Sequence, residues 1–251
     1  MNLFFNKIEP YYKDLEIIET PIIPKNRFTP TSLPETQVYS KAAAETIISS
    51  EYSGDNAKDI FAKADKLLDR LTKRSEEDSG QFDSANFGTL SHVCVEALFT
   101  GKEAVIPPRL AGSLSPSDAA VFLEAGKELA RFFAHSPMGI KAGKAEKRHS
   151  EFRFRSLIYD SEGNELFING TIDLVFEDED SIWVVDFKTD KEEGPEKYIP
   201  QMACYYKAVS DLFANPSQTA GARKECRLWL YYLRSGHAVE VTEQAREYKI
   251  F

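Results

Sequence analysis

The chain of 251 residues has only three cysteines, two tryptophans and three methionines, and no apolar run approaches the roughly 20 residues needed to span a bilayer. Cys94, Cys204 and Cys226 are odd in number, far apart and set among apolar neighbours, which fits buried thiols better than a disulfide frame. No C-x-x-C pair occurs, so a zinc ribbon and a four-cysteine iron–sulfur cluster are both excluded. Met1 to Lys7 lacks the charged start and long apolar middle of a secretion signal. A cytoplasmic protein without a membrane anchor is expected. Positive charge is also in deficit: 31 Lys and Arg against 40 Asp and Glu give a net charge of −9. That argues against a basic coat for nucleic acid, though not against a local basic patch. There is no G-x-x-x-x-G-K-[ST] phosphate loop, hence no motor ATPase of that kind in this sequence.

What is present is enough for a substantial core, at 42% hydrophobic and 12% aromatic. Pro10, Pro21, Pro24, Pro30 and Pro34 interrupt the start, so residues 1–36 read as an extended linker or arm and 37–251 as the folded domain. Within that domain, residues 37–149 read as helical and 150–251 as the sheet core. Helices are predicted from Val38 to about Ser50, from Asn56 to Arg74 and from Phe87 to Phe99. A fourth begins at Ser115-Pro116-Ser117-Asp118, where Ser115 caps, Pro116 takes the first helical position and Asp118 meets the positive end of the dipole. It is expected to run to about Ala134. The period then changes to alternation from Glu151 to Tyr159. Strands follow at about Leu166–Glu177 and Ile182–Thr189, a helix at Glu196–Phe213, and strands near Cys226–Leu233 and Ala238–Thr242. The fold class is α+β, with a central mixed, mostly antiparallel sheet flanked by helices and an N-terminal helical region.

The chemistry concentrates in one hairpin. If Asp178 to Ser181 form its loop, Glu177 faces Ile182, Phe176 faces Trp183, Leu174 faces Val185 and Ile172 faces Phe187. The other face then sets Val175 opposite Val184, Asp173 opposite Asp186 and Thr171 opposite Lys188. Like charges directly opposite in a ladder repel, and two adjacent carboxylates need a shared proton or a cation. Oxygen donors suit a hard divalent ion such as Mg²⁺, whose shell substrate phosphate and water complete. The same pattern also fits a solvated hairpin face whose acids pair with Lys188.

A Gly-x-x-Asp strand (Gly170, Asp173), an Asp-x-Lys strand (Asp186, Lys188), a following Gln-x-x-x-Tyr helix (Gln201, Tyr205) and an upstream Gly-x-x-x-His helix (Gly88, His92) occur in the order and at the spacing of a known family's pattern. Together they resemble the PD-(D/E)XK nuclease superfamily, in particular the RecB/AddA branch that ends bacterial helicase–nucleases. The resemblance covers about Phe87 to Asn215, and Thr31-Ser32-Leu33 resembles the branch's segment leading into the domain. It implies an α/β/α restriction-endonuclease-like fold and Mg²⁺- or Mn²⁺-dependent DNA hydrolysis. His92, Asp173, Asp186 and the main-chain carbonyl of Phe187 would hold the metal; Lys188 would act on the scissile phosphate or attacking water; Gln201 and Tyr205 would support the lysine and the DNA backbone.

Glu96, one turn after His92 on the same face, is a further candidate through water, and equally fits a solvated helix glutamate. Glu151 resembles a glutamate common at that point of the branch. Lys141, Lys144, Lys147 and Arg148 belong to a stretch, Lys141 to Arg155, with four surplus positive charges, whereas Glu177 to Lys197 carries six surplus negative ones. Phosphate binding is therefore expected on the basic stretch, with Lys63 to Arg74 as a second source of positive charge. The implied partners are single-stranded DNA or a duplex end and a helicase motor on the same parent polypeptide or another subunit. A nuclease-inactive binding module of a helicase complex and a free-standing exonuclease are the competing readings.

Overall fold

The computed structural model describes residues 55–74, 82–159, 162–213 and 224–250, together with the backbone of 16–18. The helix expected from Val38 to Ser50 lies outside the described residues, as does Thr31-Ser32-Leu33. The elements are β1 (Glu16–Ile18), α1 (Asp55–Arg74), α2 (Ser84–Thr100), α3 (Pro108–Ala111), α4 (Pro116–His135), α5 (Pro137–Lys144), β2 (Arg148–Tyr159), β3 (Glu165–Glu177), β4 (Ser181–Lys188), α6 (Ile199–Phe213), β5 (Glu225–Tyr232), β6 (His237–Glu240) and α7 (Thr242–Glu247). A 3₁₀ turn, Pro195–Tyr198, leads into α6.

The strands make one mixed sheet. β3 is its spine: β2 runs antiparallel along one side, while β1 and β4 share the other, β1 at residues 167–169 and β4 at 174–177. Among the described strands only β4 and β5 are parallel, and the crossover that parallel neighbours require is α6. β6 closes the far edge against β5. Residues 16–18 of the expected arm are thus part of the sheet backbone.

Helices cover both faces. On the front, Ala64, Leu67, Leu68 and Leu71 of α1, at helical spacing, join Phe87, Leu90 and Cys94 of α2 and Phe122, Leu129 and Phe133 of α4 over Leu174, Phe176, Val185 and Phe187. On the back, Met202, Tyr205, Ala208 and Val209 of α6 and Ala245 of α7 pack on Val175, Val184, Leu228 and Leu230. The result is a three-layer α/β/α arrangement. α4 is capped as its sequence dictates, the Ser115 hydroxyl accepting the Asp118 amide at 3.2 Å.

Besides β1, three helices were not foreseen: α3, α5 and α7. α5 carries the start of the expected basic stretch on a helix whose Gly139 lies so close to α4 that a Cβ there would meet the Phe133 carbonyl at 1.9 Å. The hairpin register from Leu174–Val185 to Glu177–Ile182 is as expected. Beyond Leu174 it departs: the β3–β4 ladder ends, and Ile172 packs in the back core instead of beside Phe187. β2 skips a pairing at the same level, between Ser150–Leu174 and Phe152–Ile172. The sheet therefore opens along the row Glu151, Asp173, Asp186.

Candidate active site

That opening is where α2 meets the sheet. The helix starts on an Asp83 cap that accepts the Asn86 amide at 2.8 Å. It passes the end of β4 so closely at Gly88 that a Cβ would sit 3.1 Å from Thr189 Oγ1. One turn later His92 reaches the row of acids. Its Nδ1 lies 3.2 Å from Asp173 Oδ1 and its Nε2 2.9 Å from the Phe187 carbonyl oxygen. The second Asp173 oxygen accepts the Phe187 amide at 2.7 Å. Where a ladder bond would have continued, the aspartate side chain stands in for backbone and turns the strand ends apart.

Glu151 completes the front group. Its φ of +51° is the sole positive value at a non-glycine among the described residues. Side chains adopt that left-handed region at a cost, which observed outliers at ligand sites commonly carry. His92, Glu151 and Asp173 present ligand atoms within 4.8 Å of one another. Both imidazole nitrogens face acceptors. Burial alone would lower the His92 pKa, but the charge of Asp173 and its contact with the ring, with Asp186 behind, push it up to about 9. Burial would raise Asp173, yet His92 and the Phe187 amide hold it below the usual carboxylate range.

Asp186 and Lys188 point the other way, toward α6. Lys188 Nζ stands 2.7 Å from Asp186 Oδ2, donates to Gln201 Oε1 at 3.2 Å and lies 3.9 Å from the centre of the Tyr198 ring. Asp186 Oδ2 is buried and, despite that short approach, lacks a partner in hydrogen-bonding geometry. Gln201 donates to Asp186 Oδ1 at 3.4 Å and to the Tyr205 hydroxyl at 2.8 Å, which in turn donates to the Thr171 carbonyl at 2.8 Å. Burial, reinforced by the Asp173 charge, raises Asp186 to about 6 against the pull of Lys188. Two environments thus push the acids apart, Asp173 below the usual carboxylate range and Asp186 above it.

The sequence candidates divide accordingly. His92, Asp173 and Phe187 come together directly; Asp186, Lys188, Gln201 and Tyr205 form an adjoining chain. Gln201 and Tyr205 do not decorate the helix beside its apolar stripe: they are buried, at 3% and 1% exposure, against the sheet. Glu96 is not in the His92 group. Lys141, Lys147 and Arg148 of the basic stretch sit elsewhere. Lys141 pairs with Asp178 at 2.6 Å over the Trp183 ring and Lys147 with Glu177 at 3.4 Å, both beside the hairpin loop; Arg148 donates to the Ala142 and Gly143 carbonyls. All three lie at the end of the hairpin away from Asp173, because α5 folds this part of the stretch back onto β3 and β4; Arg148 is half-buried, whereas Lys141 and Lys147 remain exposed in surface ion pairs. Lys144 is exposed on the same helix.

Tyr198 escaped the sequence reading, although its position three residues before Gln201 on a helical turn could have flagged it. So did Arg234. Its Nε donates to the Thr189 carbonyl at 2.7 Å and its Nη1 to both Asp65 oxygens at 2.8 and 3.1 Å, fixing the segment that follows Lys188 to α1.

The residues fit a divalent cation on their own chemistry. A histidine, two front carboxylates and a backbone carbonyl converge, and a third, buried carboxylate paired with Lys188 lies beside them. An acid-rich row flanked by a half-buried lysine, at the broken edge of an α/β/α sheet, is the arrangement of a metal-assisted hydrolase of phosphate esters.

The sequence pattern of the PD-(D/E)XK nuclease superfamily matches residues 66–249, and the chain belongs to that superfamily. It is similar to an ATP-dependent helicase/nuclease polypeptide of Bacillus cereus (strain AH187), 26% identical over 223 residues that cover 77% of this chain and 17% of the relative. It is also similar to the polypeptide of the same name from Anoxybacillus flavithermus, 25% identical over 144 residues covering 51% and 12%. The chain thus spans less than a fifth of the length of these relatives. No helix among the described residues is long and apolar enough to cross a membrane.

Proposed function

We propose that this chain is a Mg²⁺- or Mn²⁺-dependent deoxyribonuclease that hydrolyses phosphodiester bonds of single-stranded DNA supplied by a helicase motor during double-strand-break repair. The observation that carries the reading is the division at Phe187: its carbonyl faces His92 in the group that includes Asp173 and Glu151, while the next residue, Lys188, is held by Asp186 and Gln201 on the adjoining face.

His92, Asp173, Asp186, the Phe187 carbonyl and Glu151 are the residues that would hold the ion. When bound, a divalent cation supplies positive charge that polarises the phosphodiester and acidifies water. The chain provides the rest. Lys188, clamped by Asp186, Gln201 and the Tyr198 ring on the adjoining face, would meet a phosphate bound at the edge of the row with its ammonium already held in place. It stabilises the charge that develops there and orients the attacking water without reorganising. Gln201 holds that lysine directly, and Tyr205 holds Gln201, being itself fixed by the Thr171 carbonyl. Front and back layers exclude bulk water from this chain of contacts.

The names of the relatives, both helicase/nucleases, support a motor that delivers the strand, on one polypeptide with this domain or in a partner. The test is incubation of the 251-residue chain with end-labelled single-stranded DNA and Mg²⁺ or Mn²⁺, alongside Asp186→Asn and Lys188→Ala. Metal-dependent shortening by the wild type and its loss in both variants is the expected result. Intact DNA in all three lanes with retained DNA binding would favour an inactive binding module.

A further inference from the structure

The edge strand β2 has two unlike faces. Phe154, Ser156 and Ile158 turn to the back, where Ser156 donates to Asp211 of α6 at 3.0 Å and the two apolar residues enter the back core. By the two-residue alternation of a strand, Arg153, Arg155, Leu157 and Tyr159 lie on the opposite face, in line with Glu151. Arg153, Arg155 and Tyr159 are exposed, Tyr159 at 59%. Their partners across the ladder are Thr171, Asn169 and Glu165.

Unlike Lys141 and Lys147, neither arginine takes part in an ion pair among the described residues. Arg155 lies over the Phe167 ring at 4.4 Å, which leaves its outward edge of donors available. Two arginines at alternate positions of one strand are separated by about 7 Å along it, comparable to the separation of neighbouring phosphates in an extended polynucleotide strand. The row begins at the acid group and ends on an exposed tyrosine ring about 27 Å away, eight residues at about 3.4 Å each.

We infer that the outer face of β2 is a phosphate track for one extended, unpaired DNA strand, with Arg153 and Arg155 binding successive phosphates next to the reaction centre and Tyr159 stacking on a base at the distal end. The inference rests on the nuclease reading and specifies where its substrate lies. Charge complementarity selects a polyanion, and an exposed ring that stacks on a base face selects a strand whose bases are unpaired. Within the basic stretch Lys141 to Arg155 it singles out Arg153 and Arg155, which lie in line with the acid group, whereas Lys141 and Lys147 pair with acids beside the hairpin loop.

The experiment is fluorescence anisotropy with labelled oligothymidylate and a blunt duplex of equal length, in EDTA across a salt series, on the full chain. Wild type is compared with Arg153→Gln/Arg155→Gln, Tyr159→Ala and, as control, Lys207→Gln on the opposite layer. The double variant should bind the single strand about tenfold more weakly, with the log–log salt slope reduced by about 1.4, the share of two phosphate contacts on a single strand. Tyr159→Ala should weaken the single strand but not the duplex, and Lys207→Gln neither. An unchanged slope in the double variant overturns the track, as does a Tyr159→Ala loss equal for both DNAs. Cleavage by wild type is assayed in parallel. If it cleaves normally while the double variant keeps its slope, the track alone fails; if wild type neither binds nor cleaves, the nuclease reading falls with it.

Discussion

Asp173 accepts the backbone amide of Phe187 at 2.7 Å, and the Phe187 carbonyl lies 2.9 Å from His92 Nε2, so one residue of β4 is gripped at both backbone atoms by side chains of the site. The aspartate therefore does two jobs: it terminates a ladder and supplies an oxygen to the acid row. Asp173→Asn keeps the shape but turns a charged acceptor into an amide facing a donor. We expect it to lose nuclease activity by at least about 100-fold and to lower stability by about 1–3 kcal/mol, read by cleavage rate and chemical denaturation.

Asp186→Asn should separate activity from stability. Its carboxyl group is raised to about 6 by burial and by Asp173, so removing the charge relieves a cost. Cleavage should drop by at least about 100-fold while the thermal midpoint at neutral pH stays level or rises. A variant that unfolds earlier and cuts normally would contradict this assignment.

Gln201 is expected to act through Lys188. Gln201→Leu fills the volume, leaves the ammonium without its fixed acceptor and should lower kcat by about 10- to 100-fold with KM little altered. Steady-state kinetics on a short single-stranded substrate give the split directly.

His92 sets a pH dependence. Its pKa in the fold, about 9, exceeds the ordinary 6.5, so the folded state binds the proton more tightly than the unfolded chain does. The stability this contributes is complete below about pH 6.5 and disappears as pH rises through 9. In EDTA the thermal midpoint should fall across that window, and His92→Gln should flatten the fall. Cation binding requires the neutral ring, so Mn²⁺ affinity should increase about tenfold per pH unit between about pH 7 and 9, measured by titration calorimetry in buffers of different ionisation enthalpy.

Gly88 and Thr189 should be coupled. A methyl group at 88 would crowd Thr189 Oγ1 at 3.1 Å, offsetting the helix propensity that alanine gains. Gly88→Ala should cost less in a Thr189→Ala background by about 0.5–1 kcal/mol in a double-mutant cycle.

Much of this was legible in the sequence. The Asp178–Ser181 loop fixed the hairpin register because turn length and alternation agree, and Ser115-Pro116 fixed the start of α4 for equally local reasons. The candidate residues were readable as spaced pairs on elements that the fold sets side by side. What escaped depends on non-local contacts. Glu151 was a candidate by resemblance alone: nothing in a glutamate announces a left-handed backbone, and its approach to His92 and Asp173 comes only when β2 lies beside β3. Ile172 alternates correctly with Leu174 in sequence, yet the opening of the ladder sends it to the other core. The acids that Lys147 and Lys141 of the basic stretch pair with, Glu177 and Asp178, lie some thirty residues away along the chain and could not be read from local spacing.

Arg234 links Thr189, directly after the lysine, to Asp65 on α1, 169 positions earlier. The superfamily pattern begins at residue 66, so a fragment trimmed to that boundary would strip a largely buried guanidinium of its carboxylate and leave the strand end that carries Lys188 moored on one side only. For anyone excising or transplanting this domain, the safe cut lies upstream of α1.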